Sequence, residues 1–204
     1  RVFPVDSEGE PQSQHTHEYT FIKDISTGYD LSTSIDIEPG NYQLMVWSQL
    51  LLDENQTPFY DYTSFMEIIL QNHVANTDYR DAFRGKESVT IEPTMTAQAP
   101  KDIEIAMQRP LAKFEFITTD LHQFVLREIK RSQVANRAQP VMYQDILRSL
   151  GDYTIRFYYV GYMPDAFSIF TDRPVDASTG RIFESTMHQL NNTEASLGFD
   201  YVFT

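Results

Sequence analysis

A mainly β chain, with two antiparallel sandwiches in tandem and a few short helices, is what this sequence predicts. Twelve Tyr and fourteen Phe stand against only eight Gly, a balance that suits pleated faces filled by aromatic side chains. Runs of period-two alternation recur along the chain, with about six short elements complete by Met107, the density expected of a sandwich. The alternation then restarts after Pro110 in "RPLAKFEFITTDL", which places a boundary within Ala106–Leu111. The expected organisation is an extended leader over 1–16, one sandwich over 17–108 and a second over 109–204.

Taken in order, "RVFPVDSEGEPQSQHT" has no sustained period and reads as a displaceable leader. "HEYTFIKDI" alternates Tyr19, Phe21 and Lys23 against Thr20, Ile22 and Asp24, as a strand does. In "IEPGNYQLMVW", Pro39 and Gly40 suit the centre of a type II turn. The strand after it carries Tyr42, Leu44 and Val46 on one face and Met45 and Trp47 on the other, so both faces should be covered, with Trp47 in the first core. "SFMEIILQNH" has Ser64 and Glu67 at capping-box spacing and Phe65, Ile68 and Ile69 on one helical face, which predicts a short helix. "ESVTIEP" and "DIEIAM" return to period two, with Val89, Ile91, Ile103 and Ile105 facing inward and "PTMTAQAP" connecting them.

In the second half, Ala112, Phe114 and Phe116 alternate with Lys113, Glu115 and Ile117. "DLHQFVLREIKRSQ" sets Leu121, Phe124, Val125 and Ile129 on one helical face, with Asp120 as N-cap and Arg127, Lys130 and Arg131 suited to the C-terminal end of the dipole. "PVMYQDILRSLG" predicts another helix, with Pro140 in its first turn, Tyr143, Ile146, Leu147 and Leu150 on a face, and Gly151 as its stop. "DYTIRFYYVGYMP" reads as a long strand ended by Gly161 and Pro164, and "LGFDYVFT" as a last strand. Strands as long and aromatic as "NYQLMVWSQLLL" and "YTIRFYYVGY" suit an open, pairing-competent edge, expected in the first sandwich, and equally suit central strands that are fully paired.

Charge and composition exclude several functions. Sixteen basic against 29 acidic residues give a net charge of −13, which repels phosphate backbones and argues against nucleic-acid partners. No apolar run is long enough to span a bilayer, and "FMEIIL" is interrupted by charge. Without cysteine there is no thiol nucleophile, cysteine-bound zinc or disulfide. The chain opens on Arg1, so any signal peptide or lipid-bearing cysteine would precede it.

Candidate chemistry is sparse. His15 and His17 would project to one side of an extended backbone, as a metal pair must, but no third ligand accompanies them, and a solvent-exposed pair is the reading the residues favour. His73, His122 and His188 sit in unrelated contexts, none in a nucleophile-elbow pattern. Asp53, Glu54 and Asp61 in "LLDENQTPFYDY" could gather round Ca²⁺ or act as an acid–base pair, against the commoner reading of a solvated loop. The aromatics of "FYDY" and "RFYYVGY" could stack on sugar rings, against the commoner reading of core. No catalytic, cofactor or metal residue is assigned, and an enzyme is not expected.

"IEPGNYQLMVWS", "NTDYRDAFRG", "RPLAKFEFITTDL", "YTIRFYYVGYMPDAFSIFTDRPVDA" and "LGFDYVFT", in that order, resemble elements of fimbrillin-like surface proteins of the type V pilus class, the fimbrial anchor and accessory subunits. The resemblance runs over about Ile37–Thr204 and is built from individually weak motifs. It implies two transthyretin-like Greek-key sandwiches, export as a lipoprotein to the bacterial outer membrane, and a structural or adhesive role in a fimbria. It implies partners that are other fimbrial subunits, joined by strand exchange, together with host proteins or glycans, and contact with the membrane only through a lipid anchor. It implies no cofactor. Against the family pattern, this chain has no lipidated cysteine and its last strand stops at Thr204. A stand-alone surface lipoprotein binding host or dietary glycans is the alternative.

Overall fold

The computed structural model describes residues 1–21, 31–51, 57–95, 100–135 and 140–204. The chain is mainly β, 40% strand and 14% helix, in several antiparallel sheets. In the first half the strands are β1 (Val2–Pro4), β2 (Gly40–Gln49), β3 (Tyr60–Asp61), β4 (Ile68–Leu70) and β5 (Ala82–Ile91). The second half holds β6 (Leu111–Thr118), helices α1 (Leu121–Val134) and α2 (Tyr143–Arg148), β7 (Thr154–Tyr158), β8 (Met163–Ser168), β9 (Arg173–Ser178), β10 (Ile182–Thr186), β11 (His188–Gln189) and β12 (Ala195–Phe203). Four sheets result, ordered β1-β2-β5, β3-β4-β8-β9, β11-β12-β6 and β10-β7.

β2 and β5 pair over their full lengths, Gly40 opposite Ile91 through Gln49 opposite Ala82. Both faces of β2 are covered as expected: Leu44 packs with Val2 and Val89, and Met45 enters the main core with Trp47 packed against its margin. Gly40, however, is not among the positive-φ glycines. It opens β2 in the ladder, so the expected type II turn is not formed and pairing with β5 sets its backbone instead.

Ser64–Glu67 makes a turn rather than a helix: the Ser64 hydroxyl accepts from Met66 N at 3.2 Å, and Glu67 N donates to Ser64 O. The chain then enters β4, with Ile68 and Leu70 buried and Ile69 exposed, because ladders to β3 and β8 on either side satisfy the backbone better than one isolated helical turn. "DIEIAM" keeps its inward Ile103 and Ile105, packed with Val89 of β5, but forms no strand; the one backbone bridge to β5 comes just after it, Arg84 to Gln108. Residues 18–21 form no strand either; the rest of that expected element, and Asp53 and Glu54, lie outside the described residues.

α1 forms as expected, with Leu121 and Val125 buried, although the Asp120 carboxylate accepts from the Thr118 hydroxyl instead of capping. α2 starts after Met142, whose N–H donates to the Asp145 carboxylate at 3.0 Å, so Pro140 precedes the helix. Gly151 lies inside a following 3₁₀ turn, Leu150–Asp152, and does not stop the chain there. β7 ends at Tyr158, and Pro164 sits within β8 at a register irregularity.

The halves are not separate cores. β4 of the first half pairs with β8 of the second, Ile68 opposite Phe167. One apolar cluster gathers Phe3, Met45, Tyr60, Ile68 and Ala82 together with Leu111, Phe167, Ile169, Tyr201 and Phe203. The expected division into 17–108 and 109–204 is corrected accordingly: Pro110 and the restarted alternation mark a new strand, not a new core. The leader is corrected too. Val2 and Phe3 are buried, β1 is antiparallel to β2, and the segment returns through bridges at Val5–Pro11 and Val2–His17.

The first-half sheet is touched at single points beyond its margins, by His17 beside β1 and by Gln108 beside β5, and among the described residues β5 otherwise ends the sheet. Edge β6 has a ladder partner on one side only among the described residues, and its Phe114 is 49% exposed. Its neighbour β12 is covered on both faces: Tyr201 and Phe203 enter the main cluster, while Asp200 points the other way.

Candidate functional site

Among the described residues a densely bonded polar group is held between β12 and the connection that leads into β5. Arg80 closes the 3₁₀ turn Asp78–Arg80, which begins after Thr77, whose hydroxyl accepts from Tyr79 N at 3.3 Å. From that turn alternate side chains reach the second half. Arg80 Nη1 donates to Asp200 Oδ1, and Nη2 donates to Tyr201 O at 2.6 Å. Asp200 Oδ1 also accepts from Tyr201 N at 2.8 Å. Asp200 Oδ2 accepts from Tyr159 Oη at 2.9 Å and from His73 Nε2 at 2.9 Å. A carboxylate can only accept, so His73 carries its proton on Nε2. Tyr60 Oη donates to Arg80 O at 2.6 Å, tying the turn to the apolar cluster.

Arg80 is 1% exposed and Asp200 0%. A buried carboxylate is tolerable only with such partners. Burial alone pushes the Asp200 carboxyl up; the hydrogen bond from His73, the Arg80 charge and the Tyr159 hydroxyl outweigh it and hold the group below its ordinary value. Burial likewise raises Tyr60, to about 12, with the Arg80 charge opposing. Desolvation, then the neighbouring Asp200 charge, raises Tyr159.

Two flanking contacts complete the clamp. Asp81 receives a bidentate pair from Arg109, at 2.7 and 2.6 Å. Asp78 accepts from Lys113 Nζ and Tyr201 Oη, both at 2.8 Å, and these donors hold its carboxyl below the ordinary value. Lys113 Nζ also lies 3.9 Å from the centre of the Phe199 ring. Gly198 makes room beside this network. Its φ is +132°, and a Cβ there would stand 2.5 Å from Ser185 Oγ and 2.7 Å from Asn76 Oδ1. Chemically the arrangement is a positioning device: every carboxylate oxygen of Asp200 is occupied by a protein donor, leaving none directed at a substrate.

A second region faces outward. Beyond β7 the alternation continues, so Phe157 and Tyr159 turn inward while Tyr158, Val160 and Tyr162 stand out, Val160 at 95% and Tyr162 at 83% exposure. Ile182, opposite Tyr158 across the ladder, is exposed as well. The Arg156–Glu184 ion pair, with Nε to Oε1 at 2.8 Å, borders this apolar group.

The residues singled out from the sequence are scattered. His15 packs edge-on to Phe3 and pairs with Glu18 at 3.2 Å; His17 bonds Thr16 and stacks on Tyr19. Asp61 accepts from Thr63 N and Oγ1 in a local turn. In "FYDY", Phe59 and Tyr60 are core and Tyr62 packs against it. Among the described residues no group of three or more His, Asp or Glu could hold a metal ion, and no helix is long and apolar enough to cross a membrane. His73, Arg80, Tyr159 and Asp200 went unrecognised as a group, although an acid inside an otherwise apolar strand, "LGFDYVF", is itself a sign of a buried partner.

Neither the curated proteins nor the solved structures include a match to this chain. One family model does match, over residues 1–204, and on that footing the chain belongs to DUF6562, a family of unknown function.

Proposed function

We propose that this protein is a structural or adhesive fimbrial subunit, or fimbrial anchor, of the bacterial outer membrane. It acts through strand-mediated assembly, without catalysis or cofactor, and is held at the cell surface by a lipid anchor outside this chain. The observation that supports this reading is β6. It is an eight-residue edge strand whose inner neighbour is buried on both faces and whose outer side has no ladder partner among the described residues. Such an edge presents a row of backbone donors and acceptors to an incoming strand, and the side chains beside it set the register. The clamp supports the same reading from within, since Arg109 and Lys113 lock the start of β6 to the first half. Immunogold labelling of filaments sheared from the native host tests it. Label along or at the ends of filaments is expected; label confined to the cell body would overturn it.

A second reading, a stand-alone surface lipoprotein that holds glycans, is favoured by Tyr158 and Tyr162. Both rings are exposed, and that of Tyr158 stands two residues along β7 from the Arg156–Glu184 pair, which offers apolar faces and hydrogen-bonding groups together, the chemistry of a sugar ring. Glycan-array binding by the purified chain, lost in a Tyr158→Ala/Tyr162→Ala variant, would put this reading ahead.

A further inference from the structure

Most described basic side chains are committed within the chain. Arg1, Arg80, Arg84, Arg109, Lys113, Arg156 and Arg181 pair with carboxylates, and Lys86 and Lys101 donate to backbone carbonyls. α1 is different. Arg127 and Lys130 are exposed and have no partner among the described residues, and Arg131 reaches only Glu128 of its own helix, at 3.7 Å. With Val134 and Ala135 these three line a shallow depression on the helix surface. In a chain of net charge −13 this is a local reversal of sign.

The opposite feature lies on the first-half sheet. Between the Val5–Pro11 bridge, Asp6, Glu8 and Glu10 crowd a tight turn in which Gly9 takes φ +91°. Asp6 Oδ1 accepts from Glu8 N at 2.9 Å and Glu10 N at 3.0 Å, and Asp6 N donates to Glu10 O at 2.9 Å. The backbone is therefore fixed, while the Glu8 and Glu10 carboxylates are exposed and unpaired among the described residues. A fixed turn loses little conformational freedom on docking. The turn hangs from β1, whereas α1 packs in the cluster with α2 and β12.

We propose that the Asp6–Glu10 turn of one copy docks on the Arg127–Lys130–Arg131 face of a second copy. The contact is head to tail: each copy keeps a free turn and a free helix face, so association is open-ended rather than closed. Two acidic bodies repel in most orientations, and this juxtaposition is one that attracts, which gives the contact its direction. The inference draws its biological sense from the assembly role proposed above, but its physical test does not depend on that role.

Sedimentation velocity on the purified chain supplies the test. Concentration-dependent association is expected at low ionic strength, weakening as salt is raised. An Arg127→Glu/Lys130→Glu variant and a Glu8→Lys/Glu10→Lys variant should each associate roughly tenfold more weakly or worse. All four residues are exposed, so both variants should keep the native circular dichroism and thermal midpoint. Mixed one to one, the two variants should regain association, because the intact turn of the first meets the intact helix of the second, and the reversed turn the reversed helix. A chain that is monomeric at every salt, reversals that leave association unchanged, or a mixture that does not regain it would each overturn the proposal. A chain found on filaments but indifferent to the swap loses this contact and keeps the assembly reading; one that obeys the swap but is absent from filaments does the reverse.

Discussion

Tyr158 and Tyr159 are adjacent, yet they belong to two regions that differ in almost every physical respect. Tyr159 turns inward and gives its hydroxyl to the buried Asp200; Tyr158 turns outward beside Val160 and Ile182. Both regions are built from tyrosines and Arg–carboxylate pairs. Arg80–Asp200 is sealed from water, while Arg156–Glu184 stands in it, each partner about half exposed. Residue type therefore does not separate a structural group from a surface available for binding. What separates them is whether each polar atom has a protein partner and whether water can replace that partner if it is lost.

The contrast can be broken from its buried side first. Asp200→Ala leaves the Arg80 guanidinium buried without its counter-charge, and the expected loss is about 3–5 kcal/mol, measured by urea unfolding. A loss below about 1 kcal/mol would mean that water reaches Arg80 and that the two regions are alike. Gly198→Ala forces a side chain to φ +132° against Ser185 and Asn76, and about 1–3 kcal/mol should be lost.

pH sharpens the comparison. The Asp200 carboxyl is held below its ordinary value in the folded chain, so its contribution is present above the unfolded value, near 4, and is lost as pH falls through the lower folded value. Tyr60 behaves oppositely. Its folded value, about 12, lies above the ordinary 10, so its contribution is intact below pH 10 and lost as pH rises from 10 to 12. Tyr60→Phe should flatten part of that alkaline fall in stability, leaving the share due to Tyr159 and Tyr201, which are also raised.

Smaller effects lie toward the surface. Arg109→Gln removes a bidentate but half-exposed partner of Asp81 and should cost at most about 1 kcal/mol. Tyr162→Ser should change stability by less than about 0.5 kcal/mol, a null result that matters because it frees this position for binding assays.

Period-two alternation carried the sequence reading wherever a strand is long. β2, the second half of β5, β6, β7 and β12 lie where "NYQLMVWSQ", "ESVTIEP", "AKFEFI", "YTIRFYY" and "LGFDYVF" placed strands, because a half-buried strand must alternate; residues 82–86 of β5 carry no such reading. β3 and β4 are two and three residues long, too short to show a period, so the capping-box spacing at Ser64 prevailed. β8 and β9 are broken by Pro164, Asp165, Pro174 and Asp176. Which strands share a sheet was beyond reach, since the pairing of Ile68 with Phe167 depends on long-range packing rather than on either local pattern. The clamp is half visible: "TDYRDAF" carries part of the family resemblance, but nothing local says that Asp78, Arg80 and Asp81 meet residues 113, 200 and 109.

The span of that clamp governs how the chain can be made. Asn76, Asp78 and Arg80 find their partners in Phe199, Tyr201 and Asp200, more than a hundred residues later. During synthesis the Arg80 turn has no counter-ion until residue 200 has been made, so the β1-β2-β5 ladder can pair from local residues while the join between the two halves waits on β12. The closing of the fold is thus a late, long-range event, set by contacts more than a hundred residues apart in sequence.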